Sequence, residues 1–315
     1  MEKGLVSILI PCFNTERYLS KCLDLVLAQT YQKIEILLLN DGSTDHTLEV
    51  MQRYQEKDTR IRIINRENRG VAASRNELIQ KSTGKYVTFV DSDDFISKDY
   101  VLDMLNVLQE TNSDIALCHV QKIHDPLEMK ESGKKEFYQY NRIQTIQKML
   151  TVRDFYDYPV AKLLKREILE GISFPINRIY EDSATLFKVY DKIQKSVVLE
   201  KEYYFYLIGR EDSITTKKYS MKHLTDNFLA IREKYDYILD HVPEVKNEAT
   251  FCYVGNLVTI IQRATASQNE EVLHSEMFQQ VINQLKEFSP FLEREQDTFH
   301  IISNEKLIII QKYLK

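Results

Sequence analysis

Three carboxylates fall within four residues where the apolar run Tyr86-Val87-Thr88-Phe89-Val90 ends in Asp91-Ser92-Asp93-Asp94. Like charges gathered at the end of a buried strand repel one another and resist desolvation, so they require a cation or hydrogen-bond donors. Hard divalent cations such as Mg2+ and Mn2+ prefer carboxylate oxygens, and Mg2+ commonly shares its shell with substrate phosphates. The Asp91-Ser92-Asp93 triplet therefore reads as a metal or nucleotide site. Asp94 and Ser97 also admit a structural reading, as caps of the helix that follows.

Three further stretches carry side chains suited to chemistry. In NDGSTDHT (40–47), Asp41 can accept backbone N–H bonds in a turn, with Ser43 or Thr44 capping the next helix. In ENRGVAASRN (67–76), Gly70 permits close backbone approach at a helix start, and the Arg75 fork matches carboxylate or phosphate. Glu181-Asp182 reads as an acidic pair opening a helix, which the helix dipole favours without any chemistry. Neither GxGxxG after the first strand nor GxxxxGK[ST] is present, which argues against Rossmann dehydrogenases and P-loop NTPases.

The elements that must position these residues alternate over the first ~120 residues. Apolar strands are expected at 5–10, 34–40, 60–65, 86–91 and 114–120, with helices near 16–28, 45–57, 71–81 and 99–111. Continuous apolar strands separated by helices indicate an α/β fold with a mainly parallel sheet covered on both faces. Such sheets bind ligands beyond the carboxyl ends of their strands, where Asp41 and Asp91 fall. Residues 122–145 turn polar and read as a connection or mobile loop. From 146 to 220 the pattern is α+β, with a helix in FPINRIYEDSATLFKVYDKI and two β-rich runs, SVVLE and YYFYLI. Beyond 217 only helical patterns remain, near 222–241, 246–266, 272–287 and 304–314. The expected division is 1–218 (halves 1–121 and 122–218) and a helical subdomain, 219–315.

Composition narrows the classes. The 315 residues are 43% hydrophobic and 28% charged, an ordinary globular balance, and 42 basic against 47 acidic residues give a net charge of -5. That charge argues against a nucleic-acid partner. Cys12, Cys22, Cys118 and Cys252 form no CxxC pair and read as reduced thiols in a cytoplasmic protein. The N-terminal apolar run of five residues before Pro11 is too short for a signal peptide, and no apolar stretch reaches the length of a membrane span.

Taken together, VSILIPCFNTERYLSKCLDLVLAQTYQKIEILLLNDGSTDHT, NRGVAASRN, DSDD and RIYEDSATLFK resemble, in family order, the family 2 glycosyltransferases of GT-A fold, over residues 5 to about 215. The resemblance implies an inverting, metal-dependent hexosyltransferase using a nucleotide-sugar, with UDP the expected carrier. Pro11, Phe13 and Asp41 match positions around the base and ribose, with Asp41 the acceptor for a uracil-type N–H. Asn68, Arg75 and Ser92 match the nucleotide pocket. Asp91 and Asp93 match the ends of the metal-binding DxD, with Asp93 the direct ligand of Mn2+ or Mg2+. Asp182 matches the catalytic base, with Glu181 orienting it or accepting from the acceptor sugar.

The chemistry agrees. A departing sugar nucleotide builds negative charge on its diphosphate, which a cation stabilises, and an ionised carboxylate can take the acceptor's proton. Processive family members carry a tryptophan-containing QxxRW motif and membrane spans; this chain has no tryptophan, so transfer of single sugars is expected. The expected process is bacterial cell-surface polysaccharide synthesis on a glycan acceptor, often lipid-linked. The alternatives are glycan extension on a glycoprotein and a non-catalytic sugar-nucleotide-binding module. Two further readings concern the terminal NEKLIIIQKYLK and GREDSIT. The first is a helix packed on the subdomain or touching a membrane surface, and in the second Arg210 and Ser213 could reach the diphosphate. The TyrTyrPheTyr run at 203–206 could stack on sugars, although β-propensity and core packing explain most of it.

Overall fold

The computed structural model describes residues 4–152, 157–209, 219–288 and 290–291. It begins β1 (Val6–Cys12), α1 (Glu16–Leu27), β2 (Ile34–Asp41), α2 (Thr47–Lys57), β3 (Ile61–Arg66), α3 (Val71–Lys81) and β4 (Tyr86–Phe89). These four strands lie side by side in the order β3-β2-β1-β4, every pair parallel. All eight residues of β2 are buried, as are six of the seven in β1, because helices cover both faces. Pairing aligns Cys12 with Asn40 and Asp41 with Arg66, so the loops after β1, β2 and β3 emerge together at the carboxyl edge.

The chain continues through β5 (Phe95–Ile96), α4 (Tyr100–Glu110), β6 (Ile115–Ile123), β7 (Gly133–Asn141), α5 (Arg142–Thr151), β8 (Lys162–Lys165), α6 (Leu186–Lys192) and β9 (Lys195–Leu207). The sheet extends as β4-β8-β6-β9-β5, with β8 antiparallel to both neighbours and β6 parallel to β9. The fully parallel half carries the edge where Asp41 and Asp91 were expected.

Three expectations change here. Within 122–145, Gly133–Asn141 forms a strand antiparallel to β9. Its residues are mostly exposed, so it lacks the apolar signature, and its existence depends on the ladder that β9 offers. The two β-rich runs are one strand of 13 residues, because β6 and β7 pair with β9 on both sides and keep the polar Glu200-Lys201-Glu202 link extended. The helix after Phe174 covers only Leu186–Lys192, and residues 181–185 are turns, so Glu181 and Asp182 precede the helix instead of opening it.

The chain divides into two compact units. The sheet and its covering helices make the first, which comprises Met1–Ile146, Tyr156–Asn177 and Thr185–Glu211. The second comprises Gln147–Phe155, Arg178–Ala184 and Asp212–Lys315. Within it α7 (Met221–His241), α8 (Lys246–Ser267), α9 (Glu270–Leu273) and α10 (Glu276–Glu287) enclose a core of Leu224, Phe228, Ile231, Val254, Leu257, Ile261 and Val281. Leu224, Phe228 and Ile231 recur at helical spacing, which turns one stripe of α7 inward. The helix expected over 272–287 is broken at Ser275, whose hydroxyl accepts from Phe278 N–H at 3.1 Å and starts α10 anew. No described helix is long and apolar enough to cross a membrane. Arg210, Ser213 and the terminal 304–314 segment lie outside the described residues.

Candidate active site

Asp41 ends β2 almost fully buried, and its carboxylate organises the neighbouring loop. Oδ1 accepts from Arg69 N–H at 3.0 Å and Oδ2 from Gly70 N–H at 2.8 Å. The Arg66 guanidinium lies 2.8 Å from Oδ1 and also reaches Glu77 at 3.1 Å. Two backbone donors and one guanidinium satisfy a charge that burial would otherwise make costly. Both glycines of this corner are required. Gly70 holds φ +84 while donating to Asp41, and Gly42 holds φ +71 where a Cβ would come within 2.6 Å of the Asn68 amide nitrogen.

The loops after β1 and β2 are stitched to each other. Asn14 N–H donates to Ser43 Oγ at 3.1 Å, and Thr44 N–H to Asn14 Oδ1 at 2.8 Å. Ser43 and Thr44 therefore serve this cross-link; neither caps α2, which has no side-chain cap bond. Pro11 is half-buried at the end of β1, and Phe13 beside it is 49% exposed. An aromatic ring left open among hydrogen-bonded loops is a surface on which a planar group can lie. Asn68 is exposed on the loop that Asp41 holds.

The acidic cluster divides by environment. Asp94 is fully buried, with Oδ2 accepting from Tyr204 Oη–H at 2.7 Å and Oδ1 from Leu207 N–H at 3.0 Å. Burial, followed by the charges of Asp93 and Asp91, pushes its carboxyl well above the ordinary carboxylate range. Asp94 therefore pins the loop to β9, and neither it nor Ser97 caps α4 through its side chain. Ser97 N–H donates to Tyr203 C=O at 2.9 Å, Ser97 Oγ bonds Glu131, and α4 has no side-chain cap bond. Ser92 is buried too, and its hydroxyl hydrogen-bonds the Cys12 thiol.

Asp91 and Asp93 remain half-buried. Asp91 donates its N–H to Tyr204 Oη at 3.1 Å, and its Oδ1 stands 3.4 Å from the buried Arg75 guanidinium. Arg75 lies over the Phe174 ring, 5.7 Å from its centroid. The Tyr206 phenol is pushed up to about 12, by burial first and then by the charges of Asp94, Asp91 and Asp93. The cluster's field thus falls on a phenol that the sequence reading had left among packing residues. Tyr203, Tyr204 and Phe205 are buried as expected.

The donor set suits a hard cation with an open shell. Among the described residues no group of three or more His, Cys, Asp or Glu side chains forms a ready metal cage. Asp91 and Asp93 are half-buried carboxylates, whereas Asp94 is fully buried and committed to Tyr204 and Leu207. Two carboxylates on a loop, with phosphates completing the shell, is the arrangement Mg2+ or Mn2+ accepts.

Glu181 and Asp182 belong to the second unit. Glu181 is buried and Asp182 half-buried, and Asp182 Oδ1 accepts from Ser183 N–H at 2.7 Å. The sequence reading missed Arg66, Tyr204, Tyr206 and the structural role of Asp94. Arg66 stands in register with Asp41 across β2 and β3, a pairing that strand alignment alone could have exposed.

Comparison with known proteins gives a consistent picture. Residues 7–173 match the model of glycosyl transferase family 2. The chain is 33% identical over 224 residues to glycosyltransferase GlyA of Streptococcus pneumoniae, covering 68% of this chain and 32% of GlyA. It is 30% identical over 213 residues to the poly(ribitol-phosphate) beta-glucosyltransferase of Bacillus spizizenii, covering 65% of this chain and 32% of that enzyme. The chain thus spans about a third of either relative's length. Among solved structures, S. aureus TarS 1-349 in complex with UDP-GlcNAc superposes with a TM-score of 0.68 at 23% identity, covering 98% of this chain and 88% of that one. That likeness shows the fold, a GT-A-type α/β sheet with a helical C-terminal region.

Proposed function

Because this chain belongs to glycosyl transferase family 2, we propose that it moves one sugar from a UDP-sugar to a glycan acceptor, with inversion, in bacterial cell-surface polysaccharide synthesis. The observation that carries the reading is the meeting, at the carboxyl edge of a parallel sheet, of the Asp41-held 68–70 loop with the Asp91/Arg75 pair and Asp93. That is the position where open α/β sheets take nucleotides. The UDP-GlcNAc bound by TarS supports the donor class, and the poly(ribitol-phosphate) in the name of the Bacillus relative supports a role in surface-polymer synthesis. In this reading residues 1–121 bind the nucleotide, 122–218 the acceptor, and 219–315 form a helical subdomain acting from the cytoplasmic side. The acceptor is a glycan, lipid-linked where it is assembled at the membrane face.

Pro11, Phe13 and Asp41 lie around the base and ribose, and Asn68 and Arg75 line the nucleotide pocket. Ser92, between the half-buried Asp91 and Asp93, belongs to the nucleotide pocket. A divalent cation held by Asp93 and Asp91 would offset the charge that builds on the leaving diphosphate. Asp182 takes the proton of the acceptor hydroxyl, and Glu181 orients it. The acceptor oxygen then bonds to the anomeric carbon, the bond from that carbon to the diphosphate oxygen breaks, and its electron pair leaves with UDP.

Two experiments test this reading. Incubating the chain with a panel of nucleotide sugars and Mn2+ should release UDP from at least one UDP-sugar; binding of UDP with no release from any donor would leave a non-catalytic module. Asp41→Ala should weaken UDP by about 1–3 kcal/mol, the worth of charged hydrogen bonds whose loss frees the 68–70 loop. Because Arg66 also loses a partner, urea unfolding should show a lower midpoint, with the fold surviving. Calorimetry with unchanged UDP affinity would return Asp41 to the status of a turn residue.

A further inference from the structure

The segment 178–184, which bears Asp182, is fastened to the C-terminal helices at three successive residues. Arg178 Nη1 donates to both carboxylate oxygens of Glu233 on α7, at 2.8 and 3.0 Å. Ile179 N–H donates to Asp226 Oδ2 on the same helix at 2.9 Å, and Lys222 Nζ holds that oxygen from one turn earlier at 2.7 Å. Tyr180 Oη accepts from Arg263 Nη1 on α8 at 3.4 Å. The intervals from Lys222 to Asp226 and from Asp226 to Glu233, four and seven residues, put the three on one stripe of α7.

The same segment is backbone-strained. Tyr180 sits at φ +63, and Asn177 just before it at φ +62. A bulky aromatic in the left-handed region costs roughly 1–3 kcal/mol and persists only where its surroundings over-determine it. Three fasteners on consecutive residues supply that determination, two positions ahead of Asp182. Asp226 is itself 8% exposed, which is unusual for a surface-helix carboxylate and is explained by the Ile179 N–H it receives.

We infer that Asp226 and Glu233 are positioning residues: the C-terminal helices fix the backbone of residues 178–180 and thereby set the carboxylate of Asp182 for proton abstraction. The inference rests on the reading of Asp182 as the base. It gives the helical subdomain a task in the chemical step, since a base displaced by about 1 Å can cost on the order of 10²-fold in rate.

The test uses the full chain, with kcat and donor Kd measured for Asp226→Ala, Asp226→Asn, Glu233→Ala, Asp182→Asn and the double variant Asp182→Asn/Asp226→Ala. Asp226→Ala should lower kcat by about tenfold or more while donor Kd stays at the wild-type value. Asp226→Asn should recover most of that loss, because its amide oxygen still accepts from Ile179 N–H. Glu233 is 47% exposed, so Glu233→Ala carries little folding risk and should repeat the kcat effect more weakly. The double variant should be no slower than Asp182→Asn alone. Wild-type kcat in both alanine variants would overturn the inference, as would joint loss of donor affinity or a further drop in the double variant. Near-normal turnover by Asp182→Asn would instead overturn the base assignment itself, so the two failures are distinct.

Discussion

Asp182→Asn should lower kcat by on the order of 10²-fold or more while leaving donor binding intact. The amide keeps the volume and the acceptor oxygen that Ser183 N–H donates to, but cannot take a proton. Loss of rate at constant affinity is the signature of a group needed in the transition state alone. The wild-type rate should also fall on acidification, since only the ionised carboxylate is a base. Single-turnover rates beside calorimetric donor affinities check this. A variant that turns over near the wild-type rate would place the base elsewhere.

Asp93→Ala should remove most turnover and weaken UDP binding as well, which separates it from Asp182→Asn. Asp93 is half-buried beside a carboxyl, Asp94, that is committed to Tyr204 and Leu207, so no neighbour in the cluster is placed to replace it. Removing it leaves Asp91, already engaged by Arg75, as the remaining carboxylate of the triplet. Excess chelator should inactivate the wild type in the same way, with Mn2+ or Mg2+ restoring activity. The fold should survive both treatments, because the loop is pinned through Asp94 and the Asp91 amide to Tyr204. Full turnover in excess chelator would remove the cation from the mechanism.

How far these sites could be read in advance depended on whether their determinants were local. Strands β1, β2 and β4 were legible because burial on both faces forces continuous apolar runs such as Ile36-Leu37-Leu38-Leu39. The carboxylates Asp41 and Asp91 stood out because they end such runs. Asp94 was misread because its partner, Tyr204, comes 110 residues later, and nothing near 94 announces a buried acid. The strand β7 was missed for a related reason, since its exposed residues are extended through pairing with β9. Glu181 and Asp182 read as a helix start because turn and helix share acidic preferences. The fasteners that hold that turn, Asp226, Glu233 and Arg263, lie on helices without any family signature.

The stereochemistry of the product tests the central assignment most directly. If a single displacement assisted by Asp182 is the reaction, an α-linked UDP-sugar identified in the donor panel should give a β-linked glycoside, with no covalent glycosyl-enzyme trapped on the way. Proton NMR of the purified product reads the anomeric configuration from its coupling constant. A β-glycoside is the expected result; an α-glycoside would contradict inversion and, with it, the role given to Asp182.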